Sequence, residues 1–395
     1  MVTQHFEPEP NFVTADIART LSAKGSEVVV ITTFPNYPFG KYYDSVKSIW
    51  PRKQKTDWGT IWRLPIYPDH SKSIFKRALY YSSFCVVSAI LNLFLIIKFR
   101  PNTVVVYQTP FITAYGSLIY KFIGSKFVYI CPDLWPESFT AVGIRLPRFI
   151  YSLLYSVSNI VNKFADQLIV STDGIRKRYI RDGVDPNKIE FLPVWVSGLP
   201  DESMPSKPLS DKNIRVVYAG NLGEAQALRT LVEAANKLRN DKRFKFDIYG
   251  SGTEYQNLEQ LILNLNLENI HLHGRVEPST AFKALNQATF VLIHLKDTDF
   301  FNMTLPSKLA SLLASGSIIL CGAKGETANL IKKYNAGLVF EPENSDSLKR
   351  ALEKAVRSSS NSLQGISNNG GKLYDEMFSP KTLVKNYSDL ILSVS

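Results

Sequence analysis

The chain has 395 residues, 45% apolar and 21% charged, with a formal net charge of +11. That length excludes a single ordinary core and sets an expectation of two globular domains of roughly 150–200 residues each. The basic balance calls for an anionic partner, whether nucleic acid, a phosphorylated ligand or a membrane surface.

The opening VTQHFEPEP is polar and turn-rich and carries no signal-peptide pattern. Its apolar start reads as the end of a first strand. FVTADIARTLSAKG has helical spacing with a Gly stop, and SEVVVIT is a short β-branched strand. TFPNYPFGKYY follows as a long loop. A helix is expected over 72–99, then a strand over 103–107, a helix over 112–123 and a strand over 126–131. After these come a helix over 147–164, the strand DQLIVST, a helix over 174–181 and the strand KIEFLPV.

Within this first half, Ala78 to Ile97 carry no charge over 20 positions, with Lys76 and Arg77 before them and Lys98 and Arg100 after. The length could span a bilayer. However, Ser82, Ser83, Ser88 and Asn92 dilute the stretch, and a strand follows almost at once. Three readings stay open: a helix buried in the core, a helix lying in the membrane interface with its basic flanks on anionic lipid, and a true span. From His70 to Ala165 there are ten Lys and Arg but only two acidic residues, Asp133 and Glu137, both inside YICPDLWPES. The strand expected to end at Cys131 puts this pair in a loop above the sheet. One reading has them hold an acceptor, with Asp133 assisting a hydroxyl as it loses its proton. The other has Asp133 cap backbone N–H groups in a Pro-rich turn and Glu137 pair with an Arg.

GLPDESMPSKPLSDKN, residues 198–213, reads as a linker. Strand and helix patterns then resume: strands at IRVVYAG, FKFDIYG, IHLHG, ATFVLIHL, SIILCG and GLVFEP, separated by helices that include SKLASLLASG and ETANLIKKYNAG. The Ser- and Asn-rich tract from Arg357 to Gly371 is expected as an exposed loop before a last helix, PKTLVKNYSDLIL. Two runs of βα units imply two doubly wound domains with parallel sheets, and ligands at the carboxyl ends of the strands.

Several turns could carry chemistry. YAGNLGEAQAL and YGSGTEY each place Gly-rich turns after a strand, where backbone N–H groups can cradle a phosphate. Neither matches a P-loop or a dinucleotide fingerprint. In TLPSKLASLLASG, Pro306 suits the first helical position and Lys308 falls in the first turn. There the helix dipole disfavours a cation by roughly 0.3–1 kcal/mol unless an anion binds. Glu326, opening a later helix, either favours the dipole or grips a hydroxyl pair. His271 and His273 read as structural. The cysteines Cys85, Cys131 and Cys321 stand too far apart for a metal-ligand pair and read as buried thiols of a reducing compartment.

VTQHFEPEPN, VVVITTFPNYPFGKYYD, DLWPES, VYAGNLGEAQAL, GRVEP, PSKLASLLASG and GETANLIKKYNAGLVFEPEN, taken in order, resemble the family-four glycosyltransferases of the GT-B fold, in particular the branch that adds amino sugars such as N-acetylfucosamine in O-antigen and capsule synthesis. The resemblance implies an α/β architecture of two Rossmann-like doubly wound domains facing a central cleft. It implies an N-terminal acceptor-binding, membrane-associated domain (1–197), a linker (198–213) and a C-terminal nucleotide-sugar domain (214–378). A final helix (379–395) returns to the first domain. Retaining transfer is implied, from a UDP-sugar to a polyprenyl-pyrophosphate-linked sugar, on the cytoplasmic face of the inner membrane, with no metal, no other cofactor and no nucleic acid.

Matched residue by residue, the resemblance puts the diphosphate near Gly220, Asn221, Ser307 and Lys308, and the base near Gly250, Arg275 and Val276. Glu9, Asn11, Asn36 and Tyr37 fall in acceptor-side loops. Where many members carry two glutamates eight positions apart, this chain has Met303 and Ser311, so Glu326 is the candidate for the ribose. Two other readings share this plan: a UDP-sugar 2-epimerase, and a non-catalytic homologue that supports a partner enzyme.

Overall fold

The computed structural model describes residues 1–394 except 11, 72, 142–145, 196–198, 201 and 206–212. The expected linker and Asn11 therefore lie wholly or partly outside the described residues. The chain divides into two compact units, Met1–Ser197 with Leu383–Ser395, and Gly198–Thr382.

The first unit is built on β1 (Val29–Thr33), β2 (Arg52–Lys55), β3 (Thr60–Leu64), β4 (Thr103–Tyr107), β5 (Lys126–Cys131), β6 (Gln167–Val170) and β7 (Ile189–Phe191). Two runs, β1–β3–β2 and β4–β5–β6–β7, share one sheet because Met1–Thr3 lies between β1 and β4. Val2 donates to Val105 (2.8 Å) and accepts from Tyr107 (3.0 Å), while Thr3 donates to Ile31 (3.0 Å). The expected first strand is thus only a bridge of a few residues, yet it closes the sheet. All pairings are parallel except β2 with β3. The β2–β3 hairpin falls in a stretch with no alternating apolar pattern: β2 is Arg-Lys-Gln-Lys and exposed along its length.

The helix over 72–99 runs from Ile74 to Lys98, and the expected helix over 112–123 is a 3-10 helix, Phe111–Ile123. The last helix, Pro380–Val394, buries Leu383, Tyr387 and Ile391 in the first unit's core against Phe6, Ile17 and Val128. Tyr387 donates to the Leu192 carbonyl at 3.0 Å and meets Trp195 edge-on.

The second unit carries β8 (Ile214–Ala219), β9 (Phe244–Tyr249), β10 (Ile270–Gly274), β11 (Phe290–His294), β12 (Ile318–Gly322) and β13 (Gly337–Val339). They lie in the order β10–β9–β8–β11–β12–β13, all parallel. Strand order reverses between β8 and β11, which is where an open α/β sheet leaves a crevice. Residues 357–371 are not a loop, as expected, for a helix runs from Ser360 to Met377. Leu363, Ile366, Gly370, Leu373 and Tyr374 recur at helical spacing and are buried. Gly371 packs so close that a β-carbon there would come within 2.7 Å of Ser203 Oγ. The polar composition hid the apolar period.

Candidate active site

In the second unit, the turns after β8, β9 and β10 step along one sheet edge. Gly220 N–H donates to the Tyr249 carbonyl (2.9 Å) and Gly250 N–H to the Gly274 carbonyl (2.7 Å). Both glycines have positive φ, 149° and 141°. A β-carbon on Gly250 would stand 1.8 Å from the Gly220 carbonyl oxygen, and one on Gly220 would stand 3.1 Å from Lys308 Nζ. The two turns interlock, and only glycine fits either position. Gly250→Ala is expected to cost roughly 1–3 kcal/mol from backbone strain alone and to abolish binding at this edge. Gly365→Ala, which meets nothing within 4 Å, should instead stabilise by about 0.4–1 kcal/mol. Thermal melting of both variants checks the contrast.

Lys308 begins the helix Lys308–Ala314, and Leu309 N–H donates to Pro306, which therefore precedes the helix rather than opening it. Lys308 Nζ donates to Tyr218 Oη at 2.5 Å and lies 4.1 Å from the centre of that ring. Tyr218 in turn donates to the Asn221 carbonyl at 2.6 Å. No carboxylate pairs with Lys308 among the described residues, and desolvation lowers its ammonium to about 7. A half-buried cation held by a phenol, with its counter-charge missing, is a receptor for an anion.

His294, at the end of β11, is buried and kept neutral by desolvation. Glu343 N–H donates to its Nε2 (3.0 Å), leaving Nδ1–H to donate to the Gln226 carbonyl (2.8 Å). It thereby pins the turn that follows Asn221. Tyr218 and His294 were not singled out as site residues by sequence reasoning; the signal for the first was a tyrosine two places before the glycine of VYAGNLG. Asn221, Arg275 and Ser307 are exposed, Val276 packs against the core, and Glu326 lies in the first turn of Gly325–Lys333. His273 accepts its expected structural role, bonded to Asp247 at 2.6 Å.

In the first unit, Asp133 stands two residues beyond β5. Asp133 is exposed, yet the protein crowding it raises its carboxyl above the usual range; burial raises the phenols of Tyr81 and Tyr107, and the charge of Asp133 adds a smaller push to each. It makes no hydrogen bond among the described residues, so the capping alternative finds no support there. Glu137 instead receives Arg178 at 2.9 Å, and Arg178 also meets Asp182 at 2.9 Å. Glu137 is therefore committed to an ion pair, as the pairing alternative expected.

Glu9 is fully buried. It accepts the backbone N–H groups of Phe6 (3.1 Å), Asn36 (2.7 Å) and Tyr37 (2.8 Å). Asn36 is interior too, accepting from Tyr80 Oη at 2.8 Å. These two shape the loop, while Tyr37 keeps surface and packs against His5 and His70.

Residues 10–195 match the family described as Glycosyl transferase 4-like domain, and residues 201–373 match Glycosyl transferases group 1. The chain belongs to the family-four glycosyltransferases. It is 26% identical over 367 residues to the putative colanic acid biosynthesis glycosyl transferase WcaI of Escherichia coli (strain K12), covering 87% of each chain. Its GT-B fold is shared with sucrose-phosphate synthase from Thermosynechococcus elongatus (14% identity, 100% and 98% of the two chains, TM-score 0.71). It is also shared with Anabaena HepE in complex with UDP (14%, 99% and 98%, TM-score 0.68).

One surface of this glycosyltransferase stands out. Of the most apolar window in Phe75–Lys98, only 28% is buried, so the core-helix reading fails for most of it. Phe75, Ile90, Phe94 and Ile97 face outward, as do Phe122, and Phe149 and Leu153 on the helix Arg148–Phe164. Exposed Lys76, Lys98, Arg100 and Arg148 accompany them.

Proposed function

We propose that this enzyme transfers a sugar, of the N-acetylated amino-sugar class, from a UDP-sugar to a polyprenyl-pyrophosphate-linked acceptor, with retention, in bacterial surface-polysaccharide synthesis. The observation that carries the reading is the desolvated Lys308, held by Tyr218 with no carboxylate beside it among the described residues, at the strand-order reversal of the second sheet. A donor diphosphate supplies the missing charge, and the Gly220–Asn221 turn offers its backbone. WcaI's named role in colanic acid synthesis and the UDP held by HepE support the choice of donor and pathway class. The exposed apolar and basic face supports a lipid-borne acceptor and a peripheral place on the cytoplasmic membrane.

The sugar's bond to the β-phosphate oxygen breaks, the acceptor oxygen bonds to the anomeric carbon on the face that the phosphate leaves, as retention requires, and Asp133 takes the acceptor proton. A raised carboxyl makes it a better base. Lys308 stabilises the charge that builds on the leaving diphosphate; no metal is assigned in this scheme.

A second reading, a non-catalytic homologue, draws on Met303 and Ser311. Ser311 Oγ donates back to the Lys308 carbonyl at 2.8 Å, so no carboxylate waits at that position. The test is UDP release from a panel of UDP-amino sugars with and without a lipid-linked acceptor, and the anomeric configuration of the product by NMR. Acceptor-dependent release with retention is expected. Donor binding without turnover across the panel would favour the second reading.

A further inference from the structure

The segment between β1 and the long apolar helix takes no part in the chemistry above. It is nonetheless the most conspicuous exposed aromatic stretch of the first unit: Phe39 is 67% exposed, Ile49 55% and Trp50 82%. β2 follows at once, and Arg52, Lys53 and Lys55 are all exposed. Lys53 lies 5.9 Å from the Trp62 ring, and none of the three has a carboxylate partner among the described residues. From residue 39 to 57, five Lys and Arg face two aspartates.

Pairing register places these groups. Arg52 sits opposite Arg63, and β3 runs parallel to β1, with Leu64 beside Thr33. Trp50 therefore lies just past the carboxyl end of β1. The long helix begins at the same end: Tyr80, in its second turn, donates to Asn36, three residues past β1. Phe75 and Lys76 in its first turn are exposed. The charge of Asp133 reaches Tyr81 there too. Exposed aromatics, unpaired cations, the start of the apolar helix and the candidate base thus share one end of one sheet.

We propose that the β2–β3 hairpin and the segment that leads into it from Phe39 form a second membrane anchor, in which Phe39, Ile49 and Trp50 enter the headgroup layer of an anionic bilayer and the β2 cations meet lipid phosphates. Tryptophan beside lysine and arginine suits that layer. A second copy of the chain is a poor occupant, because the cations along β2 would face one another across an edge pairing. Two anchors fix orientation where one helix would leave the protein free to roll, so the hairpin sets the end bearing Asp133 against the lipid surface. This inference rests on the membrane part of the proposed function.

The test uses the full chain with vesicles of phosphatidylglycerol and phosphatidylethanolamine, and with pure phosphatidylcholine. Three proteins are compared by flotation: wild type, Ile49→Ser/Trp50→Ser, and Phe94→Ser/Ile97→Ser on the helix. Expected results are wild-type binding to the anionic vesicles, at least tenfold weaker binding by the hairpin variant, and unchanged melting and UDP-sugar binding in that variant. Brominated phosphatidylglycerol should quench wild-type tryptophan emission, with most of the quenching lost in Trp50→Phe. If the helix variant loses binding and the hairpin variant keeps it, the hairpin proposal falls and the membrane reading stands. If the wild type binds no vesicle, both fall.

Discussion

Replacing Asp133 with Asn should lower turnover by roughly 10²–10⁴-fold, the span of general-base contributions, with the fold intact. The carboxyl of Asp133 is raised by desolvation, so between its ordinary and folded pKa the folded state holds more protons than the unfolded. Stability contributed by this group is therefore lost as pH rises through that window. Removing the charge should leave the melting temperature at neutral pH unchanged or slightly higher. The rate should show an acid limb above the usual aspartate value, because a base must be deprotonated to act, and Asp133→Asn should lose that limb. Glu137→Gln gives the contrast. It breaks the charge pair with Arg178, which keeps Asp182 as a partner, and should lower stability by roughly 1–3 kcal/mol, without altering the pH profile of the folded fraction. A wild-type rate for Asp133→Asn would remove it from the chemistry.

Lys308→Ala should weaken UDP-sugar binding about 10–100-fold, the value of a charge-assisted hydrogen bond. The more telling result is the pH dependence. Free Lys308 titrates at about 7, and a bound diphosphate must raise that value, so binding takes up a proton above pH 7. Affinity should then fall by up to about tenfold per pH unit between 7 and 9. Calorimetry in buffers of different ionisation enthalpy reads the uptake directly. The Ala variant should bind weakly at every pH with no uptake. Proton-independent binding in the wild type would mean that the lysine is already charged and that its counter-charge lies elsewhere.

The Asp133 experiment leans on a residue whose place was legible early. YICPDLWPES lies at the end of a continuous β-branched and aromatic run, and β5 ends at Cys131 as the pattern required. The pairing of Glu137 was one of two open readings, because Arg178 is distant in sequence and only folding brings it within 2.9 Å. Glu9 shows the same limit. Its motif marked it as notable, but its three backbone donors come from two loops separated by some thirty residues.

The helix Ser360–Met377 was misjudged because composition outweighed period. The β2–β3 hairpin was not read at all, because β3 forms by pairing with β1 and β2 by pairing with β3 rather than by any local preference. Lys308 itself was found by its position near a helix start, but its loss of proton affinity is a consequence of burial beside Tyr218, ninety residues away.

What the sequence determined by itself was the alternation of strand and helix, and with it two doubly wound domains, because burial on both faces of a parallel sheet demands unbroken apolar runs that stay visible in the chain. The order of motifs determined the glycosyltransferase family. Tertiary structure alone decided which polar groups are spent: Glu137 and Glu9 are consumed inside the first unit, while neither Asp133 nor Lys308 has an opposite charge beside it among the described residues. Desolvation and ion pairing act through space over a few ångströms, and the chain order carries no record of which distant residues will close that gap.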